Sequence, residues 1–228
     1  MNAPILAVTG MAFEAKIARV RGVEAVFAAR ADWLERAISD AFARGGCAGI
    51  ISFGTAGGLA ADLEPGALIV ADEVCGPFGP LKTDAAWSAR IVESFAGTPL
   101  ARITRRGTMA GVTAPVKSEA DKRALNLSTS ALAVDMESHV AGAIAMTRGL
   151  PFAVCRAVVD PGWRTLPPAA TAGLRDDGTT AIGPILRELM REPRQLGALL
   201  RLAGDARAAK TSLVQARHAL EAARALVF

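Results

Sequence analysis

The residues able to do chemistry stand at the two ends of one stretch, Ala133 to Pro161, AVDMESHVAGAIAMTRGLPFAVCRAVVDP. Asp135, Met136 and Glu137 lie at its start and Arg156 and Asp160 at its end, with an apolar helix and an apolar strand between them. Arg156 interrupts the otherwise apolar run Phe152 to Val159. A buried charge without a partner is very costly, so this arginine requires a carboxylate, and Glu137 and Asp160 are the natural candidates. Asp160, just before Pro161-Gly162, suits either the start of a turn or a carboxyl group beside a ligand. If the two ends meet over one small molecule, the chemistry that suits them is cleavage of an N-glycosidic bond to a purine. The purine leaves poorly as an anion, so an acid near its N7 helps by donating a proton. An Asp in a partly desolvated pocket holds its proton high enough to do so. A second carboxylate accepting from ribose hydroxyls favours positive charge on the sugar, and a third can position or deprotonate a water.

These groups must be carried by strands and helices. Ile5 to Thr9 reads as a buried strand ending at Gly10, with Glu14 just beyond its carboxyl end, where ligands sit in open α/β sheets. Glu14 suits that role, or that of an ordinary acidic residue near the start of a helix over Ala15 to Arg19. Val23 to Ala28 reads as a strand. Asp32 reads as the N-cap of a helix to Arg44 with Trp33, Ala37, Ile38 and Ala41 on its inner face. A strand over Ala48 to Phe53 leads into a loop, Gly54-Thr55-Ala56-Gly57-Gly58-Leu59, whose N–H groups and Thr55 hydroxyl can bond ribose oxygens or an anion. Without Gly-Lys-Ser/Thr it is not a Walker loop.

Ala67 to Val74 reads as a strand, Gly76 to Pro80 as a loop, Asp84 to Phe95 as a helix and Arg105 to Thr113 as strand. Ser118 and Asp121 read as a capping box opening a helix to about Leu127, and Ala131 to Val134 as a short strand. A helix from Glu137, with Met136, Val140, Ala143, Ile144 and Thr147 on one face, is closed by Gly149 and Pro151. Strands alternating with helices, most strands wholly apolar, predict an α/β fold with a central, largely parallel sheet covered on both faces. No composition shift marks a second domain, so residues 1–228 read as one.

Composition narrows the classes. With 51% hydrophobic and 21% charged residues the chain has the makings of a packed core. A net charge of +4, without a basic patch, and no Tyr argue against nucleic acid. Cys47, Cys75 and Cys155 lack metal-ligand spacing and read as free thiols of a reducing cytoplasm. No apolar run approaches the ~18 residues of a membrane span.

Three segments in this order and spacing, Gly54 to Leu59, Val134-Asp135-Met136-Glu137-Ser138 and Arg156-Ala157-Val158-Val159-Asp160, resemble the nucleoside phosphorylase and nucleosidase superfamily, with the methylthioadenosine/adenosylhomocysteine nucleosidases the nearest well-known branch. The resemblance implies a single-domain α/β/α sandwich with a mixed sheet, no cofactor and no metal, inorganic phosphate as a possible co-substrate, and a homodimer or larger assembly. It implies Asp160 as the acid at adenine N7, Glu137 on the ribose hydroxyls, Met136 against the sugar, and Arg156 orienting the acidic pair. It further implies Thr55, Ala56, Gly57 and Gly58 along the sugar or phosphate side, Glu14 on the attacking water, and Val116 near a base-stacking position. Two departures matter. Val159 stands where the nucleosidases have a Ser that bonds the acid. Ser52-Phe53 stand where phosphorylases have an Arg, leaving Lys16, Arg19 or Arg30 as substitutes for phosphate binding.

The tail, 165–228, is divergent. Leu196, Leu199, Leu200 and Ala203 form an apolar stripe among Arg187, Arg191, Arg194, Arg201 and Arg207, which suits packing, a dimer face, or an interfacial helix on anionic lipid. Together with Ala114-Pro115-Val116 this tail is similar to the hopanoid-associated phosphorylases. That resemblance implies removal of adenine from adenosylhopane, a lipid-linked nucleoside, by a cytoplasmic protein in peripheral contact with the membrane. A soluble methylthioadenosine/adenosylhomocysteine-type nucleosidase and a non-catalytic nucleoside-binding protein are the alternatives.

Overall fold

A computed structural model describes residues 3–226; Met1, Asn2, Val227 and Phe228, the ends of the expected domain, lie outside the described residues. In chain order the elements are β1 (Ile5–Thr9), α1 (Ala12–Ala18), β2 (Val23–Phe27), α2 (Ala31–Arg44), β3 (Gly49–Gly58), β4 (Leu68–Gly76), β5 (Gly79–Lys82), α3 (Ala85–Glu93), β6 (Thr104–Gly111), α4 (Glu119–Thr129), β7 (Ala133–Asp135), α5 (Ser138–Thr147), β8 (Phe152–Asp160), α6 (Pro168–Ala172), α7 (Ile182–Arg191) and α8 (Leu196–Ala222). The fold is α/β with a central mixed sheet between helices. β1 pairs in parallel with β2 and β3, β3 with β8, and β6 with β4 and β7; the β3–β7, β4–β5 and β4–β8 pairs are antiparallel. These pairings link β3, β8, β4, β6 and β7 into a closed ring, with β1, β2 and β5 as extensions. The apolar strands are buried on both faces, as parallel strands must be. On one side Ala15 and Ala18 of α1, Trp87 and Ile91 of α3, and Leu213 and Leu220 of α8 pack on them. On the other side Leu34 and Ile38 of α2 and Val140 and Ala145 of α5 do so.

Four expectations need correcting. The Gly54 to Gly58 segment is strand, not loop: β8 runs beside β3 from Ile50↔Phe152 to Gly57↔Asp160, so its backbone groups find ladder partners. Gly76 to Pro80 is the tip of the β4–β5 hairpin, with Gly76 opposite Gly79. Arg30, not Asp32, caps α2, whose buried face is Leu34, Ile38 and Ala41; Trp33 is exposed beneath the Arg30 guanidinium. In α5 Ser138 to Gly142 and Ala145 are buried while Thr147 is exposed, because α5 touches β3, β4, β5 and β8 and is enclosed on more than one face.

Candidate active site

Glu14 sits in the first turn of α1 and is 1% exposed. Its carboxylate accepts from the backbone N–H groups of Gly10 and Met11 on one oxygen, both at 3.0 Å. On the other it accepts from the Thr55 N–H at 2.7 Å and the Thr55 hydroxyl at 2.6 Å. It thereby joins the end of β1 to the end of β3. Gly54 is required here, because a Cβ at that position would lie 2.7 Å from Glu14 Oε2 and 2.9 Å from Arg156 Nη1.

Arg156 is fully buried on β8. Its Nε lies 2.9 Å from Asp135 Oδ2 and its Nη1 3.0 Å from Glu137 Oε2. It also donates to Ser52 Oγ, at 2.7 Å from Nη2, and to the Thr55 carbonyl at 3.1 Å. Asp135 in turn accepts from the Ser138 N–H at 3.1 Å and from the Ser138 hydroxyl. One arginine thus faces three carboxyl groups, Glu14, Asp135 and Glu137. Burial, reinforced by Asp135 and Glu14 and opposed by Arg156, pushes the Glu137 carboxyl up to about 8.

Of the two candidate partners of Arg156, Glu137 is engaged and Asp160 is not; Asp135 takes the second place. Asp160 lies four residue steps along the strand from Arg156, a span of ~13 Å that one guanidinium cannot bridge. Asp160 instead meets Lys122 of α4, whose Nζ donates to Asp160 Oδ2 at 2.6 Å. That contact supplies the partner that Val159 cannot. Burial raises the Asp160 carboxyl above the usual carboxylate range, and the Lys122 charge opposes it.

These groups surround a cavity of about 400 Å³. Glu14, Thr55, Ala56, Gly57, Val116, Met136, Glu137, Arg156 and Asp160 are all on its wall. Gly58 is not: a Cβ there would point at Val158 and the Pro161-Gly162 backbone. Lys16 and Arg19 line a separate cleft beside Arg217, and Arg30 is held by Asp32 and Asp176, so none of the three substitute cations reaches the cavity. Beyond the polar end the wall is apolar, with Phe13, Pro115, Leu166, Leu174 and Leu202 from the α1, 112–117 and tail segments. Among the described residues no group of three His, Cys, Asp or Glu could hold a metal ion, and no helix is long and apolar enough to cross a membrane.

Sequence reasoning missed Lys122 and the roles of Asp135, Ser52 and Ser138 around Arg156. Lys122 is the buried position of α4, a helix otherwise without a buried face, so no apolar period marked its inner side in the sequence. A lysine facing inward demands a carboxylate opposite it.

The raised Glu137 carboxyl carries a testable consequence. Unfolded, this side chain ionises near ~4.3; folded, it keeps its proton to about 8. Raising pH through that window therefore destabilises the folded state, because the unfolded chain releases the proton first. Glu137→Gln cannot titrate. Its Tm should match wild type near pH 5 and exceed it near pH 8, where a shift of this size amounts to a few kcal/mol at ~2–4 °C each for a chain of this size. Thermal unfolding across that range checks this, and a gain that shrinks as pH rises would contradict it.

The profile of the phosphorylase superfamily matches residues 34–170 of the chain. No curated protein sequence matches it. Among solved structures, a mutant of the Helicobacter pylori nucleosidase MTAN with 5′-methylthioadenosine in its active site is similar at TM-score 0.67 and 15% identity, covering 98% of this chain and 99% of that one. A Weissella paramesenteroides protein described as a methylthioadenosine nucleosidase is similar at TM-score 0.61 and 20% identity, covering 71% of this chain and 86% of that one. The Helicobacter pylori futalosine hydrolase is similar at TM-score 0.60 and 18% identity, covering 70% and 88%.

Proposed function

The chain belongs to the phosphorylase superfamily, and on that footing we propose that it cleaves the N-glycosidic bond of an adenine nucleoside, using water rather than phosphate. Asp160 protonates the departing adenine at N7. Glu137 binds the ribose hydroxyls with Met136 against the sugar, Arg156 holds Glu137 in place, and Glu14 handles the attacking water. Thr55, Ala56 and Gly57 flank the sugar, and Val116 lies toward the base.

The observation that carries the choice of water is the position of Glu14. The N–H groups of Gly10, Met11 and Thr55 with the Thr55 hydroxyl form a nest suited to an anion, and the Glu14 carboxylate fills it. A phosphate would meet that negative charge. Arg156, the cation on the cavity wall among the described residues, is engaged by Asp135 and Glu137. The nucleosidase and hydrolase names of the similar structures support the same chemistry.

For the far end of the substrate we take adenosylhopane, with a ribosyl hopane as the product in hopanoid biosynthesis. The resemblance to the hopanoid-associated branch supports this, as does the apolar wall from Phe13 to Leu202. Access from a membrane fits the tail. α7 has no buried residue, and Ile182, Leu186 and Met190 are exposed along it, followed by Leu196 and Leu200 at the start of α8, with Arg187, Arg191, Arg194 and Arg201 exposed nearby. Burial of α8 begins only at Ala209, so the apolar stripe read in the sequence is not packed into the core.

Adenine release from adenosylhopane in detergent, and separately from methylthioadenosine, with and without phosphate, tests the proposal. The expected result is release from adenosylhopane at a rate indifferent to phosphate. Release from methylthioadenosine alone would overturn the lipid-linked substrate in favour of the soluble nucleosidase. A strict need for phosphate would overturn hydrolysis, and no release from either would favour a binding protein.

A further inference from the structure

Lys122 is fully buried, yet its surroundings are polar. Besides Asp160 Oδ2, its Nζ donates to the carbonyls of Arg164 at 2.9 Å, Pro161 at 3.0 Å and Asp160 at 3.3 Å. An ammonium has three protons, and these acceptors take all of them. An apolar residue at this position could also have tied α4 to the 160–164 turn, without the desolvation cost of a charge. A cation aimed at one oxygen does two further things: it fixes the rotation of the carboxyl group, and it acts on its ionisation. Asp160 lies on the cavity wall while Lys122 lies behind it. On the β3 side Gly57 lies beside the carboxyl group, where a Cβ would stand 3.4 Å from both Asp160 oxygens, in ordinary contact.

We propose that Lys122 is a positioning residue for the acid of the reaction: its ammonium holds Asp160 Oδ2 from behind, leaves Oδ1 to the departing base, and by its charge governs how high in pH the carboxyl keeps its proton. This rests on the reading of Asp160 as the acid. The charged groups facing Asp160 are Lys122 from α4 and Arg164 from the following turn. Arg164 is itself engaged by Asp205 of α8. On β8, Arg156 is held by Asp135 and Glu137, and β3 presents the uncharged Gly57. Burial favours the protonated carboxyl, and Lys122 is the largest influence against it. An acid that works protonated fails as pH rises through its pKa. Lys122 lowers that pKa, so its removal moves the basic limb of the pH profile upward.

The test is Lys122→Met, similar in length and uncharged, assayed for kcat, KM and the pH dependence of kcat/KM, beside Asp160→Asn. The expected result is a kcat lower by about 10–100-fold, part of what a general acid contributes. KM should change little, and the basic limb should shift up by ~1 pH unit or more, as for loss of a neighbouring opposite charge. Lys122→Gln, which still donates to Oδ2, should recover part of kcat without returning the limb, and it serves alone if the Met variant does not fold. A basic limb unmoved in a folded Lys122 variant, or a wild-type kcat, overturns the proposal. Full activity of Asp160→Asn would instead overturn the acid assignment beneath it.

Discussion

Asp160→Asn is expected to lower kcat by about 10²–10⁴-fold, the usual contribution of a positioned general acid, with nucleoside binding largely retained. The amide keeps the shape of the side chain, and its oxygen can still accept from Lys122, so the packing of α4 on the 160–164 turn survives. What it lacks is an acidic proton. Adenine would then have to depart from an unprotonated N7, and the loss should be greatest for substrates whose base leaves poorly. Steady-state rates together with calorimetric or fluorescence binding of the intact nucleoside separate the two effects. Tight binding with slow turnover is the expected pair of results; wild-type kcat would remove Asp160 from the acid role.

Arg156→Met should act on the fold rather than on one chemical step. The guanidinium is the hub between Asp135, Glu137, Ser52 and the Thr55 carbonyl. Removing one partner of a buried ion pair leaves the other uncompensated, at a cost of ~3–5 kcal/mol. With ~2–4 °C per kcal/mol for a chain of this size, Tm should fall by ~6–20 °C near pH 8. The sign with pH follows from the carboxyl groups left behind. Without the arginine, which opposes its protonation, Glu137 keeps its proton to higher pH than in wild type. Wild-type Glu137 is itself protonated below about 8, so the two proteins bind protons alike at lower pH, and the Tm deficit widens only as pH rises above 8. Thermal unfolding at pH 8 and at higher pH measures both parts. A Tm within ~2 °C of wild type at pH 8 would show that the hub contributes little to stability.

The alternation of apolar strands and helices was legible because each element carries its own period and punctuation. β1, β2, β4 and β8 lie close to where their apolar runs predict, and Gly149 and Pro151 end α5 as expected. The end of β3 was misread because Gly54 to Gly58 has the local character of a loop, while its partner strand is about 100 residues away in sequence. Trp33 was assigned to the core on periodicity, yet the apolar stripe of α2 is narrower and excludes it. Lys122 was passed over because a lysine in a charged helix looks solvated until the turn that encloses it is known.

By itself the sequence determined the α/β class, the superfamily, and most of the residues that line the cavity from α1, β3, the β7–α5 junction and β8. Such features are carried by local period and by short motifs read in order. The tertiary structure alone decided the pairing of charges. Arg156 goes to Asp135 and Glu137, Glu14 goes to the N–H groups that would otherwise receive an anion, and Lys122 goes to Asp160. Partner choice among buried charges depends on distances of a few ångströms across elements far apart in the chain, and the energy of a buried charge changes steeply over that range. No spacing within the sequence encodes those distances.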